Sequence, residues 1–139
     1  MASYPRIDPQ RGVIEAGQIN YAPALKRSPA ATEAVCLMMR KAFDYWGYRR
    51  HEWKCNDLNK RSKRAAALLG FTFEGVFRQA TISKGRNRDT VWFTILIGEW
   101  SVVRAAFKQW LDPVNFDEVG QQNASLTDIR GRLPQAGRR

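Results

Sequence analysis

Two stretches of this 139-residue chain set cations where helices are expected to begin. In the first, Lys26-Arg27-Ser28-Pro29-Ala30-Ala31-Thr32, a serine suited to N-capping precedes a proline suited to the first helical position. Backbone N–H groups at such a start carry partial positive charge, and Lys26 and Arg27 add full charges beside them. The segment therefore reads as a seat for phosphate. The second stretch, Asn59-Lys60-Arg61-Ser62-Lys63-Arg64, places four cations in the first turn and a half of a helix. They oppose the helix dipole and repel one another, each at a cost of about 0.3–1 kcal/mol. Either an anion supplies the compensating charge, or the turn is a solvated face that tolerates the cost.

Other reactive residues form no site. Cys36 and Cys55 have no C-x-x-C spacing and His51 is the single histidine, which is too little for a zinc centre, so no metal is expected. A nucleophilic pair of Cys55 and His51 is formally possible but disfavoured, because residues four apart on a strand are separated by about 13 Å. Both thiols read as buried and reduced. Lys84, Arg86 and Arg88, with Tyr48 and Trp53 nearby in sequence, make a second basic and aromatic candidate, for nucleic acid. No helix-turn-helix, zinc-finger or RNA-recognition signature accompanies them. With 23 Lys and Arg against 13 Asp and Glu, the net charge of +10 suits polyanions generally: nucleic acid, anionic lipid or a phosphate-bearing cofactor.

The elements that would position these residues follow from periodicity. Residues 12–21 (GVIEAGQINY) read as a strand. A helix follows, opened by Ser28 and Pro29, with Val35, Met38 or Met39, Ala42 and Tyr45 or Trp46 on its apolar face and Gly47 as its terminal cap. Residues 50–55 alternate as a second strand, placing His51, Trp53 and Cys55 on one face. Asn59 caps a short helix closed by Gly70. Residues 71–79 and 90–97 are two more strands around a hairpin loop at 83–89, and residues 99–111 carry Trp100, Val103, Phe107 and Trp110 at helical spacing.

The order β-α-β-α-β-β-α implies an α/β fold shading into α+β, a mixed sheet flanked by helices. At 44% hydrophobic and 12% aromatic residues, the chain supplies the core of one domain, expected over residues 12–116. Residues 1–11 are expected to be a flexible lead-in and residues 117–139 a disordered tail. No apolar run approaches the roughly 20 residues of a membrane span, and the amino terminus has no signal-peptide character, so a cytoplasmic protein without membrane association is expected.

The run Gly47-Tyr48-Arg49-Arg50-His51-Glu52-Trp53-Lys54-Cys55-Asn56, followed by Asn59-x-x-Ser62 and Leu69-Gly70-Phe71-Thr72-Phe73-Glu74-Gly75, resembles the GNAT acyltransferases. It is most similar to the branch related to ribosomal-protein N-terminal acetyltransferases. Lys84-Gly85-Arg86-Asn87-Arg88-Asp89-Thr90 with Trp92-Phe93 resembles that branch's hairpin, and the likeness covers residues 12–116. It implies the GNAT-like acyl-CoA N-acyltransferase fold and an N-acetyltransferase: acetyl-CoA is the acyl donor, and an amine attacks the thioester directly.

By the same resemblance, Lys26, Arg27, Ser28, Ala30, Ala31, Thr32, Asn59 and Arg61 hold acetyl-CoA. The family's loop pattern, Gln/Arg-x-x-Gly-x-Gly/Ala, stands here as Lys26-x-x-Pro29-x-Ala31, and the proline removes one N–H donor. Many relatives have a tyrosine where this chain has Ala66, which leaves Ser62 as the local candidate to protonate the departing thiolate; otherwise Ser62 is an ordinary first-turn residue. Glu74 is the candidate base toward the amine, through water, or else a surface carboxylate paired with Arg78. The family normally places further strands and helices before the segment matching 12–21, so the resemblance implies a fold lacking its N-terminal part. An exposed edge at 12–21 would then invite a homodimer. The competing reading is a degenerate relative that keeps the fold and binds CoA, nucleic acid or another protein.

Overall fold

The computed structural model describes residues 1–17, 19–26 and 28–135. Arg27, one of the expected phosphate ligands, lies outside them, as do Gln18 and residues 136–139. Strands β1 (Ser3–Asp8), β2 (Val13–Gly17), β3 (Arg50–Asn56), β4 (Thr72–Ser83) and β5 (Arg86–Leu96) form one sheet in the order β1-β2-β3-β5-β4. Only β2 and β3 run parallel; the other neighbours are antiparallel. Among the described residues the α-helices are α1 (Pro29–Arg40), α2 (Lys60–Leu69), α3 (Ile97–Leu111) and α4 (Leu126–Arg132). This is the mixed sheet flanked by helices that the sequence predicts.

One core joins the helices to one sheet face. His51, Trp53 and Cys55 of β3 and Val91, Phe93 and Ile95 of β5 are buried, as period-two alternation requires. Against them pack Val35, Cys36 and Met39 of α1, Leu69 of α2, Trp100, Val103 and Phe107 of α3, and Leu126 and Ile129 of α4. Cys36 and Cys55 are free buried thiols, and burial pushes the Cys36 thiol up to about 11. The opposite sheet face carries no helix among the described residues. Its buried groups are Val13 and three polar residues, Glu15, Glu52 and Thr94.

Five expectations change. The lead-in at 1–11 contains β1, which pairs with β2 across a turn closed by Gly12 N–H to Pro9 O at 3.2 Å, with Gly12 at φ +67. Pro5 and the surrounding charges hide this strand from a propensity reading, whereas its partner's apolar run supplies the pairing. Consequently β2 is interior; the exposed edge expected at 12–21 does not exist, and the argument for a homodimer through it falls. The tail contains α4, capped by Ser125 Oγ accepting from Asp128 N–H at 3.1 Å. Its signal is only two buried side chains, Leu126 and Ile129, in a polar segment. Finally, the first helix does not run uniformly to residue 46. It passes at Lys41–Tyr45 into a π turn, marked by the bond from Trp46 N–H to Lys41 O at 3.1 Å.

The hairpin strands extend further than predicted and leave a two-residue turn, Lys84 at φ 50 and Gly85 at φ 73, the left-handed pair that matches strand twist. No described helix is long and apolar enough to cross a membrane.

Candidate active site

The candidate site lies where two parallel strands cease to pair. Residues Val13 to Ala16 of β2 face Arg50 to Trp53 of β3, and there the pairing stops. Strand β2 ends at Gly17, while β3 continues to Asn56, bonded only to β5 through Cys55↔Val91 and Asn56↔Thr90. Among the described residues the parallel ladder thus ends there, at the carboxyl ends of the pair. Both chains leave it toward helix starts, β2 toward α1 and β3 toward α2, so the two N-termini share one end of the sheet. Ligands of open sheets bind at such ends.

At the start of α1, Ser28 is extended (φ −96, ψ 155) and its Oγ accepts from Ala31 N–H at 3.3 Å while donating to Leu25 O at 2.6 Å. Pro29 follows at the first helical position. Tyr21 Oη donates to Ala31 O at 3.1 Å, and burial raises its pKa. Of the donors expected to cradle phosphate, Pro29 has no N–H and that of Ala31 is already engaged. Lys26 and Ala30 are exposed; Ala31 and Thr32 are half-buried. The first turn contains no acidic residue.

The start of α2 is better furnished with charge. Asn59 Oδ1 accepts from Ser62 N–H at 3.1 Å, which makes Asn59 the N-cap. Lys63 pairs with Asp57 at 2.9 Å, whereas Lys60, Arg61 and Arg64 are exposed and have no carboxylate partner among the described residues. Ser62 Oγ accepts from Trp53 Nε1 at 3.0 Å. Trp53 is the last residue of β3 that faces β2, so this bond ties the candidate hydroxyl to the point where the strands part.

Glu74 stands elsewhere. The β4–β5 register moves from Phe73↔Phe93 to Gly75↔Trp92, which leaves Glu74 as the extra residue of a bulge. Arg50 grips its carboxylate twice, at 2.8 and 3.0 Å, and Thr94 Oγ1 donates to it as well. The Arg50 guanidinium holds the Glu74 carboxyl below the usual carboxylate range. Its partner is therefore Arg50 rather than Arg78. No hydrogen bond connects Ser62 with Glu74: the first is tied to the helix-bearing side of the sheet through Trp53, the second to the polar side through Thr94.

Sequence reasoning passed over two further carboxylates. Glu15 and Glu52 are register partners on β2 and β3, one step before the strands part, and are 9% and 4% exposed. Lys54 Nζ lies 2.8 Å from Glu15, and Arg50 and Arg6 lie 2.9 and 3.4 Å from Glu52. The signal was available: acids at the polar positions of otherwise apolar strands need cations at neighbouring polar positions. Among the described residues no group of three or more His, Cys, Asp or Glu is placed to hold a metal.

No family model matches the sequence, and no curated protein does. Solved structures do. A GCN5-related N-acetyltransferase from Brucella melitensis is 51% identical, with a TM-score of 0.92 over 94% of this chain and 59% of that one. The chain has the GNAT acyl-CoA N-acyltransferase fold. A GNAT-family protein from Chromobacterium violaceum ATCC 12472 is 48% identical, with a TM-score of 0.70 over 72% of this chain and 50% of its own. A microcin C7 self-immunity acetyltransferase, solved with acetyl-CoA and AMP, shares the GNAT fold at 25% identity and a TM-score of 0.62, over 68% of this chain and 52% of its own. The chain thus spans between half and three-fifths of the length of these GNAT structures.

Proposed function

We propose that the chain carries the acyl-CoA-binding part of an N-acetyltransferase that moves acetyl from acetyl-CoA to an amine. The carrying observation is the parting of β2 and β3 beneath two helix starts that lack acidic residues. An elongated acyl-pantetheine arm fits a place where strands cease to pair, and its phosphates suit the unpaired Lys60, Arg61 and Arg64. Asn59 and Arg61 belong to that seat, and Lys26, Arg27, Ser28, Ala30, Ala31 and Thr32 form another at the start of α1. The GNAT structures support acetyl-CoA as donor, one of them being solved with it bound. Within that fold, the resemblance of the motifs at 47–56 and 69–75 supports a reading beside the ribosomal-protein N-terminal acetyltransferases.

Positioning supplies most of the rate in direct aminolysis, with the amine nitrogen bonding to the thioester carbonyl carbon and the thiolate leaving. Ser62 gives that sulfur its proton. The indole N–H of Trp53, donated to Ser62 Oγ, polarises the hydroxyl and makes it a better donor. Glu74 receives the amine's proton through water, and its ion pair with Arg50 keeps it charged and ready at neutral pH.

Calorimetric titration of the 139-residue chain with acetyl-CoA tests the reading. Saturable one-site binding is expected, with Arg61→Ala weakening it about tenfold; the absence of binding heat and of a thermal shift would refute it. Arg61 is preferable to Asn59 as the probe, since Asn59→Ala also removes a cap worth about 1 kcal/mol of stability. With a competent amine, Ser62→Ala should lower kcat by ten- to a hundredfold and leave KM nearly unchanged.

A further inference from the structure

Strand β5 pairs with β3 only from Thr90 onward, so residues 86–89 and their partners on β4 project as a two-stranded arm beyond the sheet. Asp57 N–H donates to Asp89 O at 2.9 Å and fastens the arm's base to the turn before α2. The arm is exposed on both faces from Val76's neighbour Phe77 to Ser83, and it bears Arg78, Lys84, Arg86 and Arg88 against one acid, Asp89. That acid is engaged within the arm: its Oδ1 accepts from Gln79 N–H at 2.8 Å and Asn87 Nδ2 at 2.9 Å, which fixes a bulge with Gln79 at φ 49. None of the four cations has a carboxylate within salt-bridge distance among the described residues.

The polar sheet face continues along this arm. Arg86, Arg88, Thr90 and Trp92 alternate onto it, so the two arginines are about 6.8 Å apart along the strand and Trp92 lies two steps further on. Phe77, 57% exposed, packs on Trp92 with ring centroids 4.9 Å apart, and Lys54 Nζ caps the other reach of that indole at 4.4 Å. Among the described residues the buried Nε–H of Arg88 and Nε1–H of Trp92 meet no acceptor. A row of cations at strand spacing that ends on an exposed aromatic is the pattern that takes a phosphate backbone together with a base. Tyr48 and Trp53, the aromatics expected to serve here, are buried in the core.

We propose that Arg86, Arg88 and Phe77 on this arm form a docking surface for single-stranded nucleic acid. The outer edge of β4 does not compete for the role. Register breaks at Phe73/Gly75 and Phe77/Thr81 interrupt its ladder and obstruct addition of another strand, and a second copy would bring like charges together. The surface is separate from the seats assigned to acetyl-CoA, so it stands whether or not that assignment does.

Fluorescence anisotropy of a labelled twelve-nucleotide single-stranded RNA with the 139-residue chain tests the proposal. Binding should saturate and weaken with salt, with a slope of log K on log salt of about −2 for three net cations. Arg86→Ala with Arg88→Ala should flatten the slope by about 1.4. Phe77→Ala should weaken binding about tenfold, and Phe77→Tyr should restore it. Circular dichroism melts check that each variant is folded; at an exposed position, unchanged melts are expected. Absence of saturable binding overturns the proposal. So does a Phe77→Ala chain that binds like the original, or a glutamate-rich peptide or duplex that competes equally well, since each would leave only undirected charge.

Discussion

His51 shows how much a single residue's environment decides. It is fully buried, neither ring nitrogen has a hydrogen-bond partner among the described residues, and its neighbours are aromatic: Phe71, Phe43 and Tyr4 with ring centroids at 5.7, 5.8 and 6.3 Å. Burial pushes the imidazole pKa down to about 4 from its ordinary 6.5. The folded chain therefore binds this proton less readily than the unfolded one. Stability is fully present above about pH 6.5 and is lost as pH falls through 4, by about 3 kcal/mol in all. Denaturant unfolding of the native chain and His51→Phe at pH 7 and pH 4.5 measures it. The native midpoint should drop markedly more than the variant's; equal drops would mean that carboxylates alone carry the acid sensitivity. From the sequence, His51 was legible as a residue of the apolar strand face, but not its lack of any partner, because that depends on which rings three other elements bring to it.

At the scale of elements, the helix boundaries were the most legible features, because capping is local chemistry. Ser28, Pro29, Asn59, Gly47 and Gly70 occupy the positions their types predict, with Gly47 at φ +68 and Gly70 at φ +102. What could not be read is help from a distant element. Arg130 of α4 donates to Leu68 O at 2.9 Å, a carbonyl near the end of α2, and to Ala67 O at 3.0 Å, which also accepts from Gly70 N–H at 3.2 Å. The two devices meet at one place: a Cβ on Gly70 would lie 3.3 Å from Val103 Cγ2 and 3.4 Å from Arg130 Nη1. Gly70→Ala should then cost about 1–2 kcal/mol, from the left-handed backbone and the crowding together. Arg130→Met, which keeps the stem but loses both bonds, should cost about 1 kcal/mol. Thermal melts of the two variants and the double variant test whether they couple. A double variant that departs from the sum is expected, since the new methyl would stand in van der Waals contact with the guanidinium and contacting groups couple; strict additivity would show that the two sites act independently.

On the scale of the whole molecule, the two faces of the sheet are stabilised by different physics. The helix-bearing face is an apolar core whose members alternate in the sequence and were largely legible there. The other face holds acids and bases that satisfy one another across four strands: Arg6 to Glu52, Glu52 to Arg50, Arg50 to Glu74, and Lys54 to Glu15. Its order was not legible, since partners such as Arg50 and Glu74 are 24 residues apart and meet only through the β3–β5–β4 pairing. Arg50 is the hub of that network. Arg50→Leu would leave the 4% exposed Glu52 with only Arg6 at 3.4 Å and release Glu74 from both of its guanidinium bonds. The exposed Glu74 arm of the pair contributes little after solvent screening, so the loss comes chiefly from the buried Glu52 charge, on the order of 2–3 kcal/mol. The double variant Arg50→Leu with Glu52→Gln should recover much of it, because the uncompensated charge is then gone. Chemical unfolding at pH 7 decides the matter: recovery assigns the cost to an orphaned buried charge, and an equally unstable double variant would assign it to lost packing of the arginine stem.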